Sequence, residues 1–120
     1  PLGCHPYKTE LRHASWRNAA AIMRSGMNFG LMTDHPVTLS QTLRESLKYF
    51  LVSGMKEAEA LALITSVNAD ILGIGDRVGR IEKNLLASML VWDRDPLRLD
   101  ALPKVVIAEG KILSHQKYTR

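Results

Sequence analysis

Met27-Asn28-Phe29-Gly30-Leu31-Met32-Thr33-Asp34-His35-Pro36-Val37 is an apolar run that ends abruptly in Thr33, Asp34, His35 and Pro36. Residues 28–32 have the length and apolarity of a buried strand, and residues 38–53 read as a helix. Asp34 and His35 therefore fall where a strand hands over to a helix. In α/β proteins this carboxyl end of a strand is where sites are built, so the corner is the first candidate for chemistry.

Upstream of that run, residues 9–25 predict a helix, with Trp16, Ala19, Ala20 and Met23 on one apolar face and Gly26 as its stop. Residues 1–6 are too short for an element of their own unless they are the tail of a strand. Downstream, Thr38 or Ser40 is placed to cap the next helix, whose stripe is Leu39, Leu43, Leu47, Phe50 and Leu51. Gly54 breaks it, residues 56–66 form another helix, and residues 68–73 add a short helical turn. Beyond Gly73 the rhythm changes to apolar runs at 85–92, 104–108 and 111–114 separated by turn residues, which predicts two or three strands. Glu109-Gly110 is read as a two-residue hairpin. The chain thus divides into an α/β segment, 1–73, and a small β region, 74–120. One or two strands with helices cannot close a barrel or cover both faces of a sheet, so the chain either self-associates or is incomplete.

Composition narrows the function classes. The chain has 120 residues, 46% hydrophobic and 23% charged, one domain's worth of ordinary globular sequence. Its formal charge of +4 is scattered over helices and the last six positions without interleaved aromatics, which argues against nucleic-acid binding. Cys4 is the sole cysteine, so no internal disulfide forms and a cytoplasmic location is expected. No apolar run approaches the roughly 18 residues a membrane span needs, and no secretory pattern is present. The sequence opens on Pro1-Leu2-Gly3, which fits a removed initiator Met, a processed product or a piece of a longer protein.

Several stretches together resemble a known family. They are Lys8-Thr9-Glu10-Leu11, the run from Gly26 to Pro36, Gly54-Met55-Lys56-Glu57-Ala58-Glu59-Ala60, Ile64-Thr65, Asn68-Ala69, Ile71-Leu72-Gly73, Asp76-Arg77-Val78-Gly79-Arg80-Ile81-Glu82 and Val91-Trp92. In order and spacing they are similar to the C-terminal part of the amidohydrolase superfamily, in the branch of imidazolonepropionase-like and Xaa-Pro dipeptidase-like enzymes. The resemblance implies the last one to two units of a (β/α)₈ barrel, with a seventh strand ending near residues 1–3 and the eighth at 28–32, followed by a portion of a small β-sandwich. It implies that Asp34 is a metal ligand and catalytic proton shuttle in hydrolysis of an amide-like C–N bond, with zinc as the first choice of divalent ion. His35 would face the pocket mouth as a substrate contact.

The departures carry equal weight. The family needs a His-x-His pair and further ligands from earlier strands, and this chain has no His-x-His. Its other histidines, His5, His13 and His115, have no metal-ligand spacing with Asp34. The family's Pro-Gly-Lys-x-Ala-Asp is replaced by Lys83-Asn84-Leu85-Leu86-Ala87-Ser88, where Asn84 can still take a left-handed conformation and Leu85-Leu86 bring apolar surface.

Plainer readings stand beside these. Asp34 can simply cap the next helix, with Thr33 and Thr38, and His35 can be a corner residue. Cys4, His5 and Lys8 can border the pocket or be a buried thiol and solvated loop residues. Trp16 and Trp92 are read as core aromatics, the Arg77-Arg80 and Arg94-Arg98 pairs as solvated turns, and 114–120 as a basic tail that frays. The expectation is an inactive C-terminal piece of an amidohydrolase, needing no cofactor alone. Its missing partner is the N-terminal barrel portion or a second chain. The alternative is a non-catalytic oligomerising module of amidohydrolase descent, a homo-oligomer.

Overall fold

The computed structural model describes residues 15–115, in which short helices precede one small sheet. The first helix, α1 (Asn18–Arg24), has three consecutive alanines in its first half, the residue that costs least to hold helical. The expected start at residue 9 lies outside the described residues, and from Ser15 onward regular helix begins only at Asn18.

Residues 38–53 do not form the continuous helix that their leucine stripe predicts. Two 3₁₀ turns, Ser40–Thr42 and Arg44–Ser46, lead into α2 (Leu47–Val52). Neither Thr38 nor Ser40 caps through its side chain: the first turn starts from Leu39, without a side-chain cap. The stripe survives where packing is tightest, since Leu47 and Phe50 are fully buried while Leu39 is half exposed. Tertiary packing, not capping, therefore holds this stretch.

The next helical stretch divides into α3 (Glu57–Ala62) and α4 (Ser66–Ile71), separated at Thr65, whose φ of −129° and ψ of −97° are not helical. Glu57 and Glu59 put negative charge on the first turn of α3, where the free N–H groups point, and the Glu59 carboxylate accepts a hydrogen bond from the Lys56 N–H at 3.1 Å. The core gathers Ala19 of α1, Leu47 and Phe50 of α2, Ala60 of α3 and Leu63. Phe29, Leu31 and Leu97 pack against it.

After a turn-rich connector come β1 (Met89–Trp92), β2 (Pro103–Ala108) and β3 (Lys111–His115), an antiparallel sheet in the order β1-β2-β3. Pro103 stands at the first position of β2, where a missing N–H is tolerated. The Glu109-Gly110 hairpin is as expected: both residues have positive φ, 49° and 77°, the type I′ geometry that matches strand twist. Asn84 takes the left-handed conformation foreseen for it, at φ 73°. Regular strand starts at Met89, not 85, because residues 82–88 turn back on themselves, with the Leu86 N–H bonded to Arg77 O and the Ser88 N–H to Leu86 O.

Two expectations are corrected here. Residues 28–32 carry no strand ladder, because no strand among the described residues lies alongside to pair with their backbone. The β region is a single three-stranded sheet among the described residues. The predicted strand end at 1–3 lies outside the described residues. Trp16 is 41% exposed rather than a core aromatic. No described helix is long and apolar enough to cross a membrane.

Candidate functional site

The run from Phe29 to Leu31 is held at each residue although it pairs with no strand. The Phe29 ring stacks on Phe50 of α2, with centroids 5.5 Å apart and planes at 26°. The Leu31 N–H donates to Leu63 O at 3.3 Å, and Leu31 O accepts from the Asn68 side-chain amide of α4 at 2.7 Å. Gly30 lies between, and a Cβ there would collide with the Asn68 side chain. This backbone thus lies directly on α2, α3 and α4, satisfying polar groups that an unpaired segment would otherwise leave without partners.

Beyond Leu31 the grip ends. Met32 is 86% exposed, Asp34 and His35 are exposed, and Val37 is 83% exposed. Asp34 O accepts the Thr38 N–H at 2.8 Å, closing a turn around the cis His35-Pro36 peptide. Asp34 is in this turn through its backbone, and its side chain does not cap the following 3₁₀ turn. The capping reading of Asp34 is therefore not what the structure shows. The corner, closed by that backbone turn, presents an exposed carboxylate and an imidazole on neighbouring residues.

No group of three His, Cys, Asp or Glu side chains among the described residues is arranged to hold a metal ion. Asp34 alone does not fit one, since a catalytic zinc takes three protein ligands. His115 lies at the end of edge strand β3, opposite Val105. Cys4, His5, Lys8 and His13 lie outside the described residues.

Arginines read from sequence as solvated are engaged. Arg80 makes a two-pronged ion pair with Asp70 of α4, which pulls the Asp70 carboxyl below its usual range chiefly through the hydrogen bond. Arg94 and Arg98 both reach Asp100, and the Arg98 hydrogen bond likewise holds the Asp100 carboxyl low. Arg44, which sequence reasoning passed over, lies on the Trp92 ring at 5.0 Å and donates to Pro96 O and Arg98 O. Its partners stand about fifty positions away, beyond any sequence spacing. Asn68 carries a partial signal in the sequence: an asparagine side chain competes with the backbone for hydrogen bonds and is disfavoured inside a helix, so it needs another reason to be there.

The model of the amidohydrolase family matches residues 4–113. The chain belongs to the amidohydrolase family. An amidohydrolase of Hapsidospora irregularis is 33% identical over 105 residues, which are 87% of this chain and 11% of that protein. The crystal structure of an amidohydrolase from Thermotoga maritima superposes with a TM-score of 0.88 at 28% identity, covering 97% of this chain and 30% of that one. A Xaa-Pro dipeptidase, solved with methionine bound in its active site, shares the fold at a TM-score of 0.72 and 23% identity, covering 84% of this chain and 26% of its own. This amidohydrolase chain thus spans about a tenth of the curated relative and under a third of the solved ones. Family membership read from the sequence is borne out, and the fold is the α/β arrangement of the matching third of an amidohydrolase.

Proposed function

We propose that this chain is the C-terminal part of a metal-dependent amidohydrolase that hydrolyses amide-like C–N bonds, and that it is catalytically silent by itself. The observation that carries this reading is the Asp34 corner: an exposed carboxylate at the end of a backbone clamped at Phe29, Gly30 and Leu31, with no capping role to explain it. An exposed carboxylate three residues beyond Leu31 is accessible to take and return a proton. In the complete enzyme Asp34 takes a proton from the attacking water and returns it to the leaving nitrogen, while His35 contacts the substrate. The divalent ion's remaining ligands come from the N-terminal barrel portion or a second chain. In this reading the segment around residues 28–32 is the last barrel strand, and β1 to β3 form part of a composite sandwich.

The test is the protein in its native preparation, analysed by intact mass, light scattering and metal content, and assayed against N-acyl amino acids and Xaa-Pro dipeptides. The expected result is an assembly with further polypeptide, a near-stoichiometric divalent ion and hydrolysis. Asp34→Asn then lowers the rate at least about 100-fold without shifting the melting temperature. A metal-free homo-oligomer of the 13.4 kDa chain with no hydrolytic activity overturns the proposal. That outcome supports the second reading, a non-catalytic oligomerising module, which is favoured by the exposed Met32, Val37, Leu72 and Ile81 side chains.

A further inference from the structure

We propose that Arg44 is a latch that straps the sheet to the helices, so that its release frees residues 89–115 as a unit and leaves the helical core intact. Among the described elements, the backbones of the three strands come close to one another and to no helix. What joins the two parts is the connector between α4 and β1, together with the β1–β2 loop.

That loop is closed on itself. Asp93 and Leu102 bond in both directions, Asp93 N–H to Leu102 O at 3.0 Å and Leu102 N–H to the Asp93 carboxylate at 2.9 Å. The Asp95 carboxylate accepts the Leu97 N–H at 2.8 Å, and Asp100 gathers Arg94 and Arg98. From this closed loop Leu97 packs against the helical core. Arg44, in the 3₁₀ turn before α2, holds the same loop from the other side. Its guanidinium lies over Trp92, the last residue of β1, and donates to the Pro96 and Arg98 carbonyls. A planar cation that stacks on an indole while filling two carbonyls is a demanding arrangement, and a lysine ammonium would not reproduce it.

The experiment is amide hydrogen exchange on the protein with Arg44→Gln and Arg44→Lys, beside limited proteolysis and Trp92 fluorescence. Expected are at least about tenfold faster exchange at Arg98, Ala101 and Leu102, new cleavage within 93–101 and a shifted tryptophan emission. Met55 and Leu63, bonded inside the helical part, keep their protection. Arg44→Lys behaves like Arg44→Gln. Should Arg44→Gln fail to fold, Trp92→Leu, which keeps apolar volume but removes the ring face, is read by the same amides. Unchanged loop protection overturns the latch, and so does equal loss of protection in loop and helices, which would make Arg44 an ordinary contributor to one cooperative unit.

Discussion

Gly30 shows how a single missing side chain seats the candidate site. The Asn68 amide can reach Leu31 O only because nothing projects from Gly30. Gly30→Ala must push Asn68 or the backbone aside, and we expect a loss of about 1–3 kcal/mol in denaturant unfolding. Asp34, three residues beyond Leu31, is different in kind: it is exposed and Asp34→Asn removes charge without removing packing. The pair of variants separates the mount from the group it presents. The family stretches quoted from the sequence contain Gly30, Leu31 and Asn68, but the meeting of Asn68 with Leu31 and Gly30 spans 37 and 38 positions and no local pattern spells it out.

At the scale of elements, the hairpin was readable because its loop length and turn residues are local. Its first loop residue is nonetheless a glutamate held at φ 49°, where a side chain other than Asn or Gly is disfavoured. Glu109→Asn is expected to stabilise the protein by roughly 0.5–1 kcal/mol, seen as a raised denaturant midpoint at unchanged slope. The helices were readable in position but not in regularity. Six- and seven-residue helices have little stability of their own, so α2 depends on the contacts of Leu47 and Phe50. Phe50→Ala, which empties the centre of the core and unstacks Phe29, is expected to cost about 3–5 kcal/mol, a large share of an ordinary domain's stability. Chemical denaturation of the variant measures it.

For the molecule as a whole, acid is the informative variable. Asp70 and Asp100 titrate below the ordinary value of 3.8 because Arg80 and Arg98 hydrogen-bond their charged forms. A lowered folded-state pKa means that these pairs contribute fully above pH 3.8 and that their contribution is lost as pH falls through the depressed values. Because both pairs are exposed and screened by solvent, melting temperature is expected to fall only modestly below about pH 4, and Asp70→Asn should reduce that fall. Both pairs brace connections: Arg80–Asp70 ties the connector back to α4, and Arg98–Asp100 closes the loop that reaches the helical core. Acid should accordingly loosen the junction of sheet and helices before the core around Phe50.

What the sequence determined alone was local and periodic: the approximate positions of the helical stretches and of the last two strands, the Glu109-Gly110 turn, the left-handed Asn84 and the family. Apolar spacing and turn chemistry act within a few residues, so they are legible without a structure. The tertiary structure decided which segments acquire partners. Residues 28–32 have strand composition yet form no ladder, since a strand exists only through a neighbour and the described chain supplies none there. It also decided that Arg80, Arg94 and Arg98, at the surface, carry ion pairs, and that Arg44 meets Trp92. Those are meetings of groups brought together by the packed chain, and the physics that selects them operates only after the backbone has folded.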